Sequence, residues 1–323
     1  MRLARRPHGE PVPEDFELAE VELPEPGEGK LLVRNVFMSV DPYMRGRMND
    51  VPSYVPPYEL GKVMYGGAVG EVLSGEQPGT LVVHQLGWRE HAIVDPGRVQ
   101  RATVPDGVPA SALLGALGMP GMTAWVGVTD IAPVAEGETV FVSAAAGAVG
   151  SVAGQLAKAR GCRVIGSAGS PEKVAYVRDE LGFDAAFSHH DDVPAALREA
   201  APDGVDVYFD NVGGPQLEAV IGALNTYGRI ALCGSVSQYN ATEPAPGPRN
   251  LGLLVGKRAR LRGFIIFDHA EREPDFRAEV GALIAEGRLK LAETVVEGGL
   301  EAAPGAFAGM LRGEHLGKVV VAL

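Results

Sequence analysis

The sequence predicts an α/β protein in which a doubly wound parallel sheet follows a smaller β-rich module. From Thr139 onward, short runs of β-branched and aromatic residues alternate with runs at helical spacing, which is typical of parallel sheets built from βαβ units. In the first third of the chain, short strand-like runs are instead separated by Pro and Gly clusters. That pattern favours a small, partly closed barrel.

The composition is that of an ordinary globular protein and excludes several functional classes. The 323 residues suffice for two domains, and 46% of them are hydrophobic and 22% charged. Asp and Glu number 41 against 29 Lys and Arg, and the net charge of −12 argues against a surface for nucleic acid or anionic membranes. Cys162 and Cys233 are the only cysteines, which excludes a disulfide framework and a cysteine-rich zinc cluster. No apolar run reaches about 18 residues and the N-terminus lacks the apolar core of a signal peptide, so we expect a cytoplasmic protein.

Within the β-rich module, two loops carry residues suited to binding a small molecule. The predicted strands are residues 16–23, 30–40, 67–73, 80–83 and 90–94, and residues 105–117 are predicted to form a helix. Tyr43 lies in the loop after the second of these strands, and Tyr58 ends a Pro-stiffened loop. Both loops are equally compatible with ordinary turns that carry surface aromatics.

In the middle of the chain the alternation of strands and helices is regular. Residues 139–167 form one βαβ unit of about the expected 30 residues. Later strands are predicted at residues 185–187, 205–209, 229–233 and 261–267, and helices at 171–181, 194–200, 216–224 and 275–287. Residues 316–323 predict a final strand that returns to the first module.

The loop after the first strand of this region has the spacing of a phosphate-binding turn. Ala145, Gly147 and Gly150 occupy the three glycine positions of the G-x-G-x-x-G pattern, with alanine in place of the first glycine. By itself the pattern is equally typical of a turn that packs a helix tightly onto a strand. Its position at the head of a βαβ unit predicts a nucleotide loop, with the phosphates on the N–H groups that open the helix.

The end of the second strand indicates which dinucleotide binds. An NAD enzyme usually has Asp or Glu there, whereas this chain has Gly169 and Ser170, with Lys173 one turn into the next helix. A carboxylate would repel a 2′-phosphate, and a lysine would attract it, so NADP is favoured. The alternative is that Lys173 is an ordinary surface lysine.

Two further loops follow the fourth and fifth strands of the predicted sheet. They contain Asn211, and Ser235 with Tyr239, respectively. Because ligands bind outside the carboxyl ends of such strands, we expect both loops to face the cofactor. Asn211 is also suited to a turn, and Tyr239 to an ordinary loop position.

Six motifs in order along the chain resemble one family. They are VDPYMR at 40–45, GMPGMTA at 118–124, AAAGAVG at 144–150, FDNVGG at 209–214, SQYN at 237–240 and LGK at 316–318. Together they resemble the zinc-independent medium-chain dehydrogenase/reductases, in the group of prostaglandin reductases, curcumin reductases and NADPH-dependent alkenal/one oxidoreductases. The resemblance implies a GroES-like catalytic domain over 1–118, a Rossmann NADP-binding domain over 119–287, and a C-terminal segment, 288–323, that returns to the first. It also implies a homodimer.

The resemblance also implies roles for individual residues. Cofactor-binding residues would be Thr123, Gly147, Ala148, Val149, Gly150, Gly169, Lys173, His189, Asn211, Ser235, Tyr239 and His315, with Met119, Tyr43 and Tyr58 lining the substrate pocket. His189 stands where mammalian members carry a tyrosine, and His315 where they carry an asparagine. Protonated His189 would assist phosphate binding. Ser39 and residues 61–63 occupy the places of zinc ligands in other relatives, so no catalytic zinc is expected.

The implied reaction is reduction of an activated carbon–carbon double bond. NADPH would transfer hydride to the β-carbon of an α,β-unsaturated ketone or aldehyde. Tyr239, the candidate catalytic residue, and the cofactor ribose hydroxyl are the candidate donors to the carbonyl oxygen, and Tyr239 or water would supply the α-proton. Two alternatives remain open: quinone reduction on the same scaffold, and a crystallin-like protein that binds NADPH without turnover.

Overall fold

A computed structural model describes all residues, 1–323, and divides the chain into two compact units. The first unit comprises Met1–Leu114, Glu293–His315 and Val319–Leu323. The second comprises Gly115–Ala292 and Leu316–Lys318. Each unit is built around a β-sheet of its own.

The N-terminal part of the first unit consists of short antiparallel strands and one helical turn. In chain order these are β1 (Arg2–Leu3), β2 (Phe16–Glu17), β3 (Leu31–Ser39), α1 (Tyr43–Arg47), β4 (Ala68–Ser74), β5 (Leu81–His84), β6 (His91–Val94) and β7 (Gln100–Arg101). The strand predicted at 16–23 is reduced to the two residues of β2. The helix predicted at 105–117 is only a 3₁₀ turn, Ala110–Leu114.

The second unit is a six-stranded parallel sheet with helices between its strands. Its strands are β8 (Thr139–Val142), β9 (Arg163–Ala168), β10 (Ala185–Ser188), β11 (Val205–Asp210), β12 (Leu224–Leu232) and β13 (Arg260–Gly263). Its helices are α2 (Met119–Val126), α3 (Gly150–Ala159), α4 (Pro171–Ala175), α5 (Val193–Ala200), α6 (Gly214–Ala223), α7 (Leu253–Lys257) and α8 (Glu273–Ala285). The strand order β10-β9-β8-β11-β12-β13 is that of a Rossmann fold and confirms the predicted doubly wound sheet.

Local sequence explains where several of these elements begin and end. Ser170 caps α4 by accepting the backbone N–H of Lys173, and Asp192 caps α5 in the same way. The predicted sixth strand, 261–267, ends early at Gly263, and Ile266–Arg272 forms 3₁₀ turns instead.

The last elements return to the sheet of the first unit. They are β14 (Glu293–Val296), α9 (Gly299–Leu311) and β15 (Lys318–Ala322). β15 pairs antiparallel with β3, with Val320 opposite Ser39, in a sheet ordered β14-β15-β3-β4-β5-β7 in which β6 also pairs with β3. This pairing confirms the predicted return of the final strand.

Aromatic stacking anchors the core of each unit. In the first unit, Trp88 stacks on Phe16 at 5.9 Å between ring centroids and meets Phe307 edge-on at 6.2 Å. In the second, Phe141 on β8 stacks on Tyr208 at 5.2 Å. None of the helices combines the length and the apolar character required to cross a membrane.

Candidate functional site

The turn between β8 and α3 is closed by its own backbone. Ala144 adopts a left-handed conformation (φ 49°), and its carbonyl oxygen accepts the N–H of Gly147 at 2.9 Å. A Cβ on Gly150 would lie 2.3 Å from that same oxygen, so only glycine fits there. Gly147, Ala148 and Val149 are half-exposed between buried neighbours, which leaves their backbone accessible to a ligand at the helix N-terminus.

Alanine in place of the first glycine is accommodated by a neighbouring strand. Ala145 is fully buried, and a Cβ on Gly166 of β9 would lie 2.7 Å from the Ala145 methyl group. The space that the motif usually obtains from its first glycine is therefore provided here by Gly166. Alanine at position 145, in place of the first glycine of the pattern, therefore does not disrupt the turn.

The carboxyl end of β9 lacks the carboxylate that would hold the ribose of NAD. Gly169 and Ser170 follow the strand, and the half-buried Lys173 lies in the first turn of α4. Burial lowers the pKa of the Lys173 ammonium group from its usual value. The His189 ring lies over Gly169, with Cε1 3.1 Å from where a Cβ of that glycine would stand. The lysine, the adjacent histidine ring and the missing acid fit a 2′-phosphate.

At the carboxyl end of β11, one buried carboxylate organises the next loop. Oδ1 of Asp210 accepts the Tyr208 hydroxyl at 2.6 Å, and the backbone N–H groups of Val212 and Gly213 at 2.9 and 2.8 Å. Ser143, at the end of β8, donates to the same oxygen at 3.3 Å. Burial, and then the Asp210 charge, raise the pKa of Tyr208 well above its usual value, so that the hydroxyl stays protonated and donates.

Ser143 and Asp210 together hold Asn211 in place. The Ser143 hydroxyl accepts the backbone N–H of Asn211 at 2.9 Å, and the Ser143 carbonyl accepts its side-chain Nδ2 at 2.7 Å. Asn211 is thereby fixed beside the start of the nucleotide loop. Asp210 lies in the loop that the sequence predicts to face the cofactor, and its contacts to Val212 and Gly213 are those of a turn residue. Ser143 is not predicted, because its contacts to Asp210 and Asn211 join strands distant in sequence.

The loop after β12 presents a tyrosine hydroxyl beside Asn211. The backbone N–H of Ser235 donates to the Tyr239 hydroxyl oxygen at 3.4 Å, and a Cβ on Gly234 would lie 3.3 Å from that oxygen. The Asn211 carbonyl accepts the N–H of Val236 at 3.2 Å, which ties the two loops together. Burial of the half-buried Tyr239 raises the pKa of its hydroxyl.

A short segment near the C-terminus completes the nucleotide loop. Gly317 donates its N–H to the Ala146 carbonyl at 2.7 Å, and Gly317 and Gly147 form a parallel bridge. Gly317 has φ 63°, and a Cβ there would lie 1.9 Å from the Ala292 carbonyl oxygen. His315, two residues earlier, belongs to the first unit, where its Nε2 lies against Gly309.

The remaining predicted residues are distributed over both units. Met119 begins α2 in the second unit, and the Thr123 hydroxyl donates to its carbonyl at 2.8 Å. In the first unit, Tyr43 begins α1 and is half-buried, with its hydroxyl pKa raised by burial and then by the Asp41 charge.

Tyr58 is a core residue rather than a loop-surface residue. It is 1% exposed, and its hydroxyl donates to the Tyr65 carbonyl at 2.7 Å. The Arg47 guanidinium lies 4.2 Å from the ring centres of both Tyr58 and Tyr65. Tyr58 therefore helps to hold Arg47 and Tyr65 in position.

No cluster of three or more His, Cys, Asp or Glu side chains is arranged to hold a metal ion. Ser39, at one of the positions where other relatives bind zinc, donates its hydroxyl to the Asp41 carboxylate. A dinucleotide loop, a strand end that has no ribose-binding acid and a tyrosine hydroxyl on one edge of the sheet define the protein as an oxidoreductase of Rossmann type.

Comparison with known proteins gives the family. Residues 1–102 match the family described as "N-terminal domain of oxidoreductase", and residues 148–285 match "Zinc-binding dehydrogenase". The chain is 46% identical to the NADPH-dependent curcumin reductase of Escherichia coli, over 99% of this chain and 95% of that protein. It is 43% identical to the 2-alkenal reductase (NADP(+)-dependent) of Nicotiana tabacum, over 97% and 94%.

A solved structure gives the same result. The crystal structure of CurA in complex with NADPH from Vibrio vulnificus superimposes with a TM-score of 0.94 at 43% identity, covering 99% of this chain and 98% of that one. The chain belongs to the zinc-independent medium-chain dehydrogenase/reductase family that contains these reductases.

Proposed function

We propose that this protein uses NADPH to reduce the carbon–carbon double bond of α,β-unsaturated ketones and aldehydes, without zinc. The observation that carries the proposal is the arrangement at the carboxyl edge of the parallel sheet. There the nucleotide loop, Lys173 and the Tyr239 hydroxyl follow the ends of β8, β9 and β12 of one unit. The relatives named as curcumin and 2-alkenal reductases support this substrate class.

The residues present fit NADP(H). We assign Gly147, Ala148, Val149 and Gly150 to the pyrophosphate, Gly169, Lys173 and His189 to the 2′-phosphate, Met119, Thr123 and Asn211 to the nicotinamide side, and Ser235, Tyr239 and His315 to the rest of the cofactor site. When bound, NADPH supplies the hydride. The contribution of the chain is to orient the reactants, to exclude water and to place hydrogen-bond donors.

Tyr239 is the proposed catalytic residue. Negative charge develops on the carbonyl oxygen of an enone during reduction of its double bond, and a positioned donor stabilises that charge. The Tyr239 hydroxyl accepts the N–H of Ser235 and so keeps its own proton for a second partner. Its raised pKa keeps that proton in place at neutral pH. We assign Tyr43 to substrate binding, with Tyr58 acting from the core beneath it.

The decisive experiment follows NADPH and NADH oxidation with four substrate classes. The panel contains a 2-alkenal, an aryl enone, a quinone and a saturated ketone, and mass spectrometry identifies the products. We expect NADPH-dependent formation of the saturated aldehyde and ketone from the first two. Turnover of the quinone alone would indicate a quinone reductase, and turnover of the saturated ketone alone would indicate a ketone reductase. Either result would contradict the proposal. NADPH binding with no turnover of any substrate would identify a non-catalytic protein.

We also propose that the protein is a cytoplasmic homodimer. The parallel sheet ends at β13, and near that strand Val255 and Phe267 are 80% and 59% exposed. An unpaired strand edge flanked by apolar side chains favours pairing with a second copy. Both cysteines are free thiols, as is usual in a reducing compartment. Light scattering after size exclusion and cell fractionation test the two parts; a monomer or a membrane-bound fraction would contradict them.

A further inference from the structure

Two histidines and a lysine lie together beside the proposed 2′-phosphate site. The His189 and His190 rings are 4.2 Å apart between centroids, in the turn that follows β10. Lys173 faces them from α4, and Gly169 lies beneath the His189 ring. We call His189, His190 and Lys173 the basic cluster.

The other two members of the basic cluster both disfavour a proton on His189. The cluster lies at the end of two adjacent strands, β9 and β10. The charged groups that face His189 are His190 on its own turn and Lys173 from α4, and both are basic. Mutual repulsion of this kind is relieved when a ligand of opposite charge binds among the groups.

The surroundings of His189 keep it neutral in the free protein. Its outer side is exposed, but its inner side loses hydration against Gly169. This desolvation, followed by repulsion from His190 and Lys173, lowers the pKa of His189 below its usual value, against a smaller opposing effect of the Ala168 carbonyl. At neutral pH the ring therefore carries no charge that would attract a phosphate.

We propose that His189 takes up one proton from solvent when a 2′-phosphate binds, so that selectivity for NADPH over NADH rises as the pH falls. The proposal rests on the cofactor proposed above and adds a specificity-determining residue to it. A phosphate beside the ring favours the imidazolium form, because the imidazolium donates a charge-assisted hydrogen bond. NADH carries no group at this position, and its binding should not be coupled to the proton.

The sign of the pH dependence follows from linkage. The bound state holds the His189 proton to a higher pH than the free state does. NADPH affinity should therefore increase as the pH falls through the bound-state pKa, and the increase should stop below the free-state pKa. Uptake of one proton changes the dissociation constant by at most tenfold for each pH unit.

The experiment measures binding rather than turnover. Dissociation constants for NADPH and NADH are determined by fluorescence between pH 8.5 and 6.0, for the unaltered protein and for His189→Phe, which keeps a ring over Gly169. We expect the NADPH/NADH affinity ratio to rise roughly fivefold over this range in the unaltered protein, as one half-exposed charge-assisted contact suggests. In His189→Phe the rise should be absent. The second ionisation of the phosphate, near pH 6, affects both proteins equally and cancels in the comparison.

Two further measurements separate the possible outcomes. Histidine Cε1–H resonances are titrated with and without 2′,5′-ADP, and the pKa of His189 should rise on binding, whereas 5′-AMP should leave it unchanged. His190→Phe should raise the pKa of His189 in the free protein, and His8→Phe, an exposed control, should not. An unchanged His189 pKa with bound 2′,5′-ADP would overturn the proposal while leaving NADPH as the cofactor. Equal affinity for NADPH and NADH at every pH would instead contradict the proposed cofactor.

Discussion

The backbone N–H of Gly317 donates to the carbonyl of Ala146 at 2.7 Å, so a residue close to the C-terminus helps to hold the nucleotide loop. Residues 316–318 belong to the second unit although the segments on either side belong to the first. The motif LGK near the end of the chain thus supports the loop to which we assign the cofactor pyrophosphate. Its glycine is required both by its φ of 63° and by the nearby Ala292 carbonyl.

Gly317→Ala should therefore impair both stability and cofactor binding. The new Cβ would lie 1.9 Å from the Ala292 oxygen, in a conformation that also costs an alanine about 1 kcal/mol. We expect the free energy of unfolding to fall by several kcal/mol, by analogy with overpacked sites, and NADPH affinity to fall at least tenfold. Gly313→Ala has the same backbone strain (φ 72°) with open space around the Cβ, and should cost only about 1 kcal/mol. Equal effects in urea unfolding would disprove the steric argument.

Gly150→Ala tests the turn itself. A Cβ 2.3 Å from the Ala144 oxygen should force the loop open, so we expect a lower melting temperature and loss of measurable NADPH binding. Gly222→Ala is the matched control, because Gly222 lies in α6 with nothing within 4 Å of its Cβ position. That variant should bind NADPH normally and gain about 0.5 kcal/mol from helix propensity. Normal binding by Gly150→Ala would show that the turn tolerates a side chain.

Lys173→Ala should change the cofactor preference. Loss of one charge-assisted contact to the 2′-phosphate should weaken NADPH binding about tenfold and leave NADH binding unchanged, because charged hydrogen bonds contribute roughly 1.5–3 kcal/mol. Titration with each nucleotide measures both constants. Lys30→Ala, at an exposed lysine paired with Asp95 in the first unit, should alter neither constant. An unchanged preference in Lys173→Ala would mean that this lysine does not contact the phosphate.

Tyr239→Phe should reduce kcat far more than it weakens NADPH binding. Removal of a donor to a developing oxyanion typically costs about 100-fold in kcat, and the phenyl ring preserves the packing. Steady-state kinetics with a 2-alkenal, together with NADPH titration, separate the two quantities. Tyr227→Phe, at a tyrosine that is 62% exposed, should leave kcat unchanged. Full activity in Tyr239→Phe would transfer the donor role to another group.

His84 should make the first unit sensitive to acid. The ring is 3% exposed, its Nδ1 accepts the N–H of Leu86, and burial lowers its pKa to about 4. Because the unfolded chain binds the proton near pH 6.5, stability is lost as the pH falls from 6.5 toward 4, by about 3 kcal/mol from this residue. Urea unfolding at pH 7, 5.5 and 4 should show a shallower acid loss in His84→Gln than in the unaltered protein. The exposed-site variant His8→Gln should retain the full loss; equal slopes for all three proteins would contradict the assignment.

The sequence predicts the parallel sheet well because its signal is local and repeated. The first five predicted strands from Thr139 onward alternate with helical patterns, and the structure has these five and the predicted sixth in Rossmann order. The helix α7 before the sixth strand is not predicted. The alternation at residues 16–23 is misleading because Leu18, Val21 and Leu23 are 49%, 53% and 46% exposed, and only Phe16 packs into the core. Periodicity predicts a strand only where a partner surface covers its apolar face.

Long-range contacts are the part of the candidate site that the sequence does not predict. Asn211 and Tyr239 follow from the rule that ligands bind at strand ends, which needs only the order of the elements. The contribution of Asp210 depends on Tyr208 and Ser143 meeting one carboxylate oxygen, and no spacing in the chain indicates that. The burial of Tyr58 under Arg47 is not predicted for the same reason, because it depends on how residues 53–58 fold against the rest of the unit.

Ala145, in the turn after β8, carries a methyl group where the usual pattern has a glycine, and Gly166, on the adjacent strand β9, has no side chain. The methyl group on the loop occupies the space that the strand glycine leaves empty. In this chain the turn therefore requires that two side chains together be small, one at Ala145 in the turn and one at Gly166 on the neighbouring strand.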